Sequence, residues 1–177
     1  MGGMTSSRPA LRPILSLLPL LAALSGWHAA ARADDLSRWQ GLWHQASAVP
    51  LRLEQGCATD VRVLWQPAEH LEHQCRTGDG RWLQQRLALE GPDAEGRLHW
   101  RRAGGLASPL EVIAADEAGA WLLLGDGQRR WAWVLTRAQR PAPDDVDTAL
   151  ARADAAGYPR AAWRALPSYG RTPADPA

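Results

Sequence analysis

Lysine and phenylalanine are absent from the sequence, and cysteine and tyrosine occur only twice each. With no lysine, all 20 basic residues are arginine, so arginine clusters on exposed loops are expected without any special function. With no phenylalanine, the large aromatic slots of a core fall to the ten tryptophans. No apolar run approaches the ~20 residues of a membrane-spanning helix. The longest, "ILSLLPLLAAL", covers only residues 14–24. No glycine-rich phosphate loop opens a helix, and no nucleophile-elbow motif is present, which leaves little basis for phosphoryl or acyl transfer.

What is present starts with a secretory signal over residues 1–33. Arg8 and Arg12 lead the apolar stretch, and "ARA" at 31–33 is a small-x-small cleavage site before Asp34. "LSGW" at 24–27 has the form of a lipoprotein processing site with Trp27 where the lipidated cysteine would stand. Without that thiol no acyl chain can be attached, so the expected product is periplasmic and not lipidated. The exported chain is then one domain over 34–167 with a loose, proline-rich tail at 168–177. It carries all 19 acidic residues and a net charge of about −2, which argues against general nucleic-acid binding. Two cysteines in an exported chain favour one disulfide, Cys57 with Cys75.

From residue 41 to 137 short apolar segments alternate with turn signals such as "TGDG", "DEAG" and "GDGQ". Strands are predicted at 41–47, 57–65, 69–75, 81–89, 96–102, 110–115, 120–125 and 130–137. Near-regular spacing of this kind suits a sandwich or an up-and-down barrel. Connections this short favour antiparallel neighbours. A hairpin turning about Gln66 would set Cys57 directly opposite Cys75. "PAPDDVDTALARADAAG" then reads as a helix: Pro143, Asp144 and Asp145 suit its start and Gly157 its end. "RAAWRALP" at 160–167 could add a short edge strand.

Taken together these segments resemble the bacterial outer-membrane lipocalins, relatives of apolipoprotein D. "RWQGLWHQASAVPLRLEQGC" at 38–57 fits the Gly-x-Trp motif of Gly41 and Trp43, then Pro50, Arg52, Gly56 and Cys57. "WLLLGDGQRRWAWVLTR" at 121–137 fits the last two strands, with Trp-x-Leu-x-Arg ending at Arg137. The resemblance implies an all-β fold: an eight-stranded antiparallel up-and-down barrel with the C-terminal α-helix packed outside. It also implies structural roles for Gly41, Trp43 and Arg137, with the guanidinium covering the indole at the barrel floor.

In such a barrel the connections alternate between ends. The mouth connections and flanking strand ends are rich in arginine, while those at the floor are acidic. By alternation from Arg137, Trp131 and Trp133 point inward; Trp100 and Trp121 are further candidates for the wall. Leu51 and Leu53 belong to a lid loop, and Arg52, Arg76, Arg81 and Arg129 to a basic rim. An apolar hollow under that rim suits a small hydrophobic or amphiphilic ligand, such as a fatty acid or lysophospholipid. His70 and His73 should face opposite sides of a strand, and Cys75 is needed for the disulfide, so no metal site is expected. No cofactor is expected and no enzyme activity. Two rivals are a lipocalin-fold enzyme acting on a lipid-derived substrate, which needs a titratable group inside and has only Gln45 and Ser47 to offer, and a filled barrel serving as an interaction module. A monomer or weak dimer, in transient contact with envelope membranes, completes the expectation.

Overall fold

The computed structural model describes residues 37–66, 70–91, 93 and 97–165. The signal segment, the cleavage site, Trp27 and the tail lie outside these residues. The strands are β1 (Gly41–Val49), β2 (Thr59–Gln66), β3 (His70–Arg76), β4 (Trp82–Glu90), β5 (Leu98–Arg102), β6 (Ser108–Ala115), β7 (Trp121–Gly125) and β8 (Ala132–Thr136). Helix α1 (Pro143–Ala155) and a two-residue β9 (Arg164–Ala165) follow. Each strand pairs antiparallel with the next, and β1 pairs with both β2 and β8, so the sheet closes on itself. Closure removes the exposed strand edges that an open sheet would present.

Alternation decides which side chains enter the barrel. In β8, Trp133 and Leu135 join the inner cluster while Ala132 and Val134 join an outer one beneath α1. Both faces are covered, which is why the strand reads as an unbroken apolar run. Ala149 and Ala153 of α1 supply the small residues that let the helix approach the sheet. Its N-terminal turn carries Asp144 and Asp145, where carboxylates meet the positive end of the helix dipole.

A bulge between Gln45 and Ser47 flips the parity of β1. Gln45 points inward opposite Leu135. Ser47 is turned outward, where its hydroxyl donates to the Arg164 carbonyl at 3.0 Å. The expectation that both face inward is corrected for Ser47. The bulge also frees the far half of one β1 edge from β2, and β9 takes that place.

The disulfide joins Cys57 and Cys75 as expected, with Cα atoms 5.5 Å apart. Its expected geometry is corrected. Gln66 is a ladder residue paired with His70 and not the centre of the turn, and Cys57 lies beyond the start of β2. The loop before β2 curls back, with Ala58 N–H on the Arg76 carbonyl at 2.7 Å, and carries Cys57 to Cys75 without a ladder position.

The floor is sealed by the residues that carry the resemblance. The Arg137 guanidinium lies 3.6 Å from the centroid of the Trp43 ring. It also donates to the Leu42 and Arg38 carbonyls at 3.1 and 3.3 Å. A guanidinium over a desolvated indole contributes ~1–2 kcal/mol. Gly41 is needed beside it: its φ is +101°, and a Cβ there would sit 3.2 Å from Arg137 Nη1.

Candidate ligand-binding site

The strands are unequal in length, and that leaves a notch in the wall. β5 ends at Arg102, whose partner is Leu87, so the mouth half of β4, Trp82–Arg86, has β3 beside it but no β5 partner among the described residues. The inner-facing Leu83 and Gln85 are half-buried there, unlike Leu71 and Leu87 lower in the barrel, which are fully buried. Leu89 and Val112 are partly buried against the same inner cluster. The short loop after Arg102 causes the notch: a chain that turns early cannot pair with the rest of a longer neighbour.

Over the mouth lies the loop from Pro50 to Ala58, with a single 3-10 turn at Arg52–Glu54. Leu53 is buried in the inner cluster and Leu51 packs against it. Two polar contacts tie the loop to the strands and a third braces it internally. Glu54 accepts from the Gln45 side-chain amide and, at 2.8 Å, from the Leu51 backbone N–H. Gln85 Nε2 donates to the Leu53 carbonyl at 2.8 Å. Burial raises the Glu54 pKa above the ordinary carboxyl value, opposed by these hydrogen bonds, by the Trp133 indole and by Arg164.

Below this lid a chain of rings crosses the interior. Trp100 meets Trp131 edge-on at 6.0 Å between centroids, Trp131 meets Trp133 at 5.1 Å, and Trp133 meets His73 at 5.6 Å. All four are buried. The Nε1 atoms of Trp100 and Trp131, both ring nitrogens of His73 and Gln45 Oε1 have no hydrogen-bond partner, while the Trp133 indole lies close to the Glu54 carboxylate. Each unpaired buried group costs ~1–3 kcal/mol of desolvation. Burial alone holds the His73 pKa down at about 4, so its ring is neutral near pH 7 and carries one N–H donor and one acceptor nitrogen.

The expected site residues are placed as follows. Trp100, Trp131 and Trp133 are in the inner cluster, with Leu51 and Leu53 above them. Trp121 is a correction: it pairs with the outward Thr136 and packs in the outer cluster with Ala149 and Ala153. Pairing with β8 carried that signal, because opposed residues share a face. Arg76 points away from the interior as well. It lies on the outer face, 4.6 Å from the Trp82 ring, which Arg62 flanks at 4.1 Å, and pairs with Asp60 at 3.2 Å. Arg129 Nε donates to the Ala156 carbonyl at 2.8 Å, where a cation meets the negative end of α1. Arg81 pairs with Asp79 at 2.7 Å in the exposed turn between β3 and β4. Arg52 is exposed on the lid. Sequence reasoning missed His73 and Gln85 as interior groups; Glu54 and Arg102 it sets at the mouth without a role, and the pairing of Arg102 with Leu87 puts it on the inner face. Among the described residues no group of His, Cys, Asp and Glu is gathered where it could hold a metal ion.

Comparison with known proteins agrees with this geometry. The family model described as the lipocalin-like domain matches residues 34–167. Lobster apocrustacyanin A1 superposes with a TM-score of 0.62 at 15% identity, covering 77% of this chain and 81% of that one. Insecticyanin from the tobacco hornworm Manduca sexta gives 0.57 at 16% identity, covering 78% and 82%. No curated protein matches the sequence. The ring of antiparallel strands, the outer helix and the match across nearly all of the described residues establish that the chain belongs to the lipocalin-like domain family.

Proposed function

We propose that this lipocalin is a carrier that binds a small hydrophobic or amphiphilic molecule inside the barrel and does no covalent chemistry. The observation that carries the reading is the notch between β4 and β5, which opens onto half-buried inner positions below a lid tied to the strands by two polar contacts. A filled barrel serving only as a scaffold has no use for an unpaired wall, or for a lid anchored by groups that can exchange partners with water. Binding would be reversible partition, with apolar burial contributing about 0.8 kcal/mol per methylene. An anionic amphiphile, a fatty acid or a lysophospholipid, would set its head among Arg52, Arg81 and Arg102 at the rim and its chain within.

The sequence supports a setting for this activity. Residues 1–33 would direct export, leaving the domain 34–167 and the tail 168–177 in the periplasm of a bacterial cell. Trp27 in place of the lipidated cysteine would leave it unanchored, in transient contact with envelope membranes. Its motifs resemble those of the outer-membrane, apolipoprotein D-like lipocalins, and the role would be to buffer or shuttle lipids as a monomer or weak dimer. Native mass spectrometry of protein purified from the periplasm, with lipid extraction, tests the carrier reading. A co-purifying small molecule whose return quenches tryptophan emission supports it. The absence of both, across fatty acids of graded length, overturns it.

A further inference from the structure

The inner chain of rings carries more information than its apolar area. It presents unpaired indole N–H donors on Trp100 and Trp131, an unpaired donor and acceptor on His73 and a free acceptor on Gln45, all buried, with the Trp133 indole beside them and close to the Glu54 carboxylate. Protein interiors satisfy such groups almost without exception, so several in one ring-lined space need an explanation. The floor shows that this chain can satisfy a buried indole: Trp43 Nε1 donates to the Trp39 carbonyl at 2.7 Å.

We propose that the upper interior is built for an uncharged, mostly apolar molecule whose buried end carries a carbonyl or hydroxyl oxygen, held by the indole N–H groups of Trp100 and Trp131 and by the ring of His73. The inference rests on the carrier reading above and narrows its ligand. An alkyl chain in this space would leave every one of these groups unpaired. An ionised carboxylate would find donors but no counter-charge. The His73 ring is neutral there, the arginines lie at the rim or on the outer face, and the Glu54 carboxylate, close to Trp133, would repel it. A neutral oxygen accepts from the indoles without either penalty, and a hydroxyl can also donate to the imidazole or to Gln45 Oε1.

The test is a matched set of probes delivered from cyclodextrin: a long-chain methyl ketone, the fatty acid of equal length and the alkane of equal length, titrated by tryptophan quenching. The ketone should bind at least about tenfold more tightly than the other two. His73→Phe should weaken the ketone by about tenfold and leave the alkane within about twofold, because it keeps the ring and removes the nitrogens. In the unaltered protein, indole N–H proton resonances of Trp100 and Trp131 should move downfield with the ketone and not with the alkane. Equal binding of ketone and alkane, or tighter binding of the acid, overturns this inference and leaves the carrier reading standing. So do indole resonances that stay in place because buried water already holds them. Failure of all three probes to bind overturns both.

Discussion

The barrel has two halves that use the same residue type in opposite ways. At the floor, the Trp43 N–H is paired with the Trp39 carbonyl, its face is covered by Arg137, and Arg137 is itself anchored to two backbone carbonyls. Toward the mouth, Trp100 and Trp131 are as well buried, yet their N–H groups have no partner. Trp39 Nε1 is the one indole nitrogen of the floor pair left unpaired. Burial therefore does not separate Trp43 from the rings above it; hydrogen-bond satisfaction does, with Trp39 as the exception at the floor. A tryptophan that serves stability is used at both its face and its N–H. One that serves a ligand keeps its polar tip free and accepts the cost.

The largest effect should come from the floor. Trp43→Ala removes a fully buried indole, its hydrogen bond and the partner of Arg137, and should lower unfolding free energy by about 4 kcal/mol in urea titrations. Trp131→Phe in the ligand-free protein should stay within about 1 kcal/mol of the parent or exceed it, since it deletes an unpaired donor along with some area. If the two substitutions cost the same, the division between the halves is broken.

Next in size is the disulfide. Cys57→Ser with Cys75→Ser opens a loop with a sequence separation of 18, worth ~3 kcal/mol in the chain-entropy model. The loss should appear as a lower denaturation midpoint, and as faster lid opening, because Cys57 closes the lid segment onto β3. The floor contacts lie at the far end and should be unaffected, which indole hydrogen exchange at Trp43 can check.

Much of this division was legible in the sequence, and the illegible part has physical causes. Gly41, Trp43 and Arg137 could be placed because a closed barrel makes its first and last strands neighbours. Trp131 and Trp133 could be placed because β8 alternates without interruption. Ser47 could not, because a bulge flips parity and leaves no mark in the residue types. Trp121 was read inward because β7 is apolar on both faces; only its register with β8 separates the two sides. His73 was weighed as a metal ligand because the sequence shows its neighbours along the chain and not its neighbours across the barrel. The disulfide partners are legible despite the wrong register because two cysteines allow only one pairing.

The third prediction sharpens the contrast through pH. Burial depresses the His73 pKa from 6.5 to about 4. The unfolded state therefore takes up a proton before the folded state does. The neutral imidazole contributes stability that is fully present above pH 6.5 and is lost as pH falls toward about 4. The loss should approach ~3 kcal/mol at the acid end. His73→Phe should flatten the profile in this window. A profile that is unchanged by the substitution would mean that the ring is not held neutral in the upper interior.

The smallest effect belongs to the lid, and its sign is opposite. Burial raises the Glu54 pKa, so protonation favours the closed loop. The contribution of Glu54 to closure is full below the ordinary glutamate pKa and is lost as pH rises through the raised one. Ligand release should therefore quicken by a few fold across that window, while global stability moves the other way under the control of His73. Glu54→Gln removes the charge and should abolish the pH dependence of release. It should also speed release somewhat at every pH, because an amide has one oxygen to offer where the carboxylate now accepts from both Gln45 and the Leu51 N–H. Stopped-flow recovery of quenched tryptophan emission reads both effects. A release rate that keeps its pH dependence in Glu54→Gln would place the gate elsewhere, with the unpaired wall between β4 and β5 as the remaining way out of the barrel.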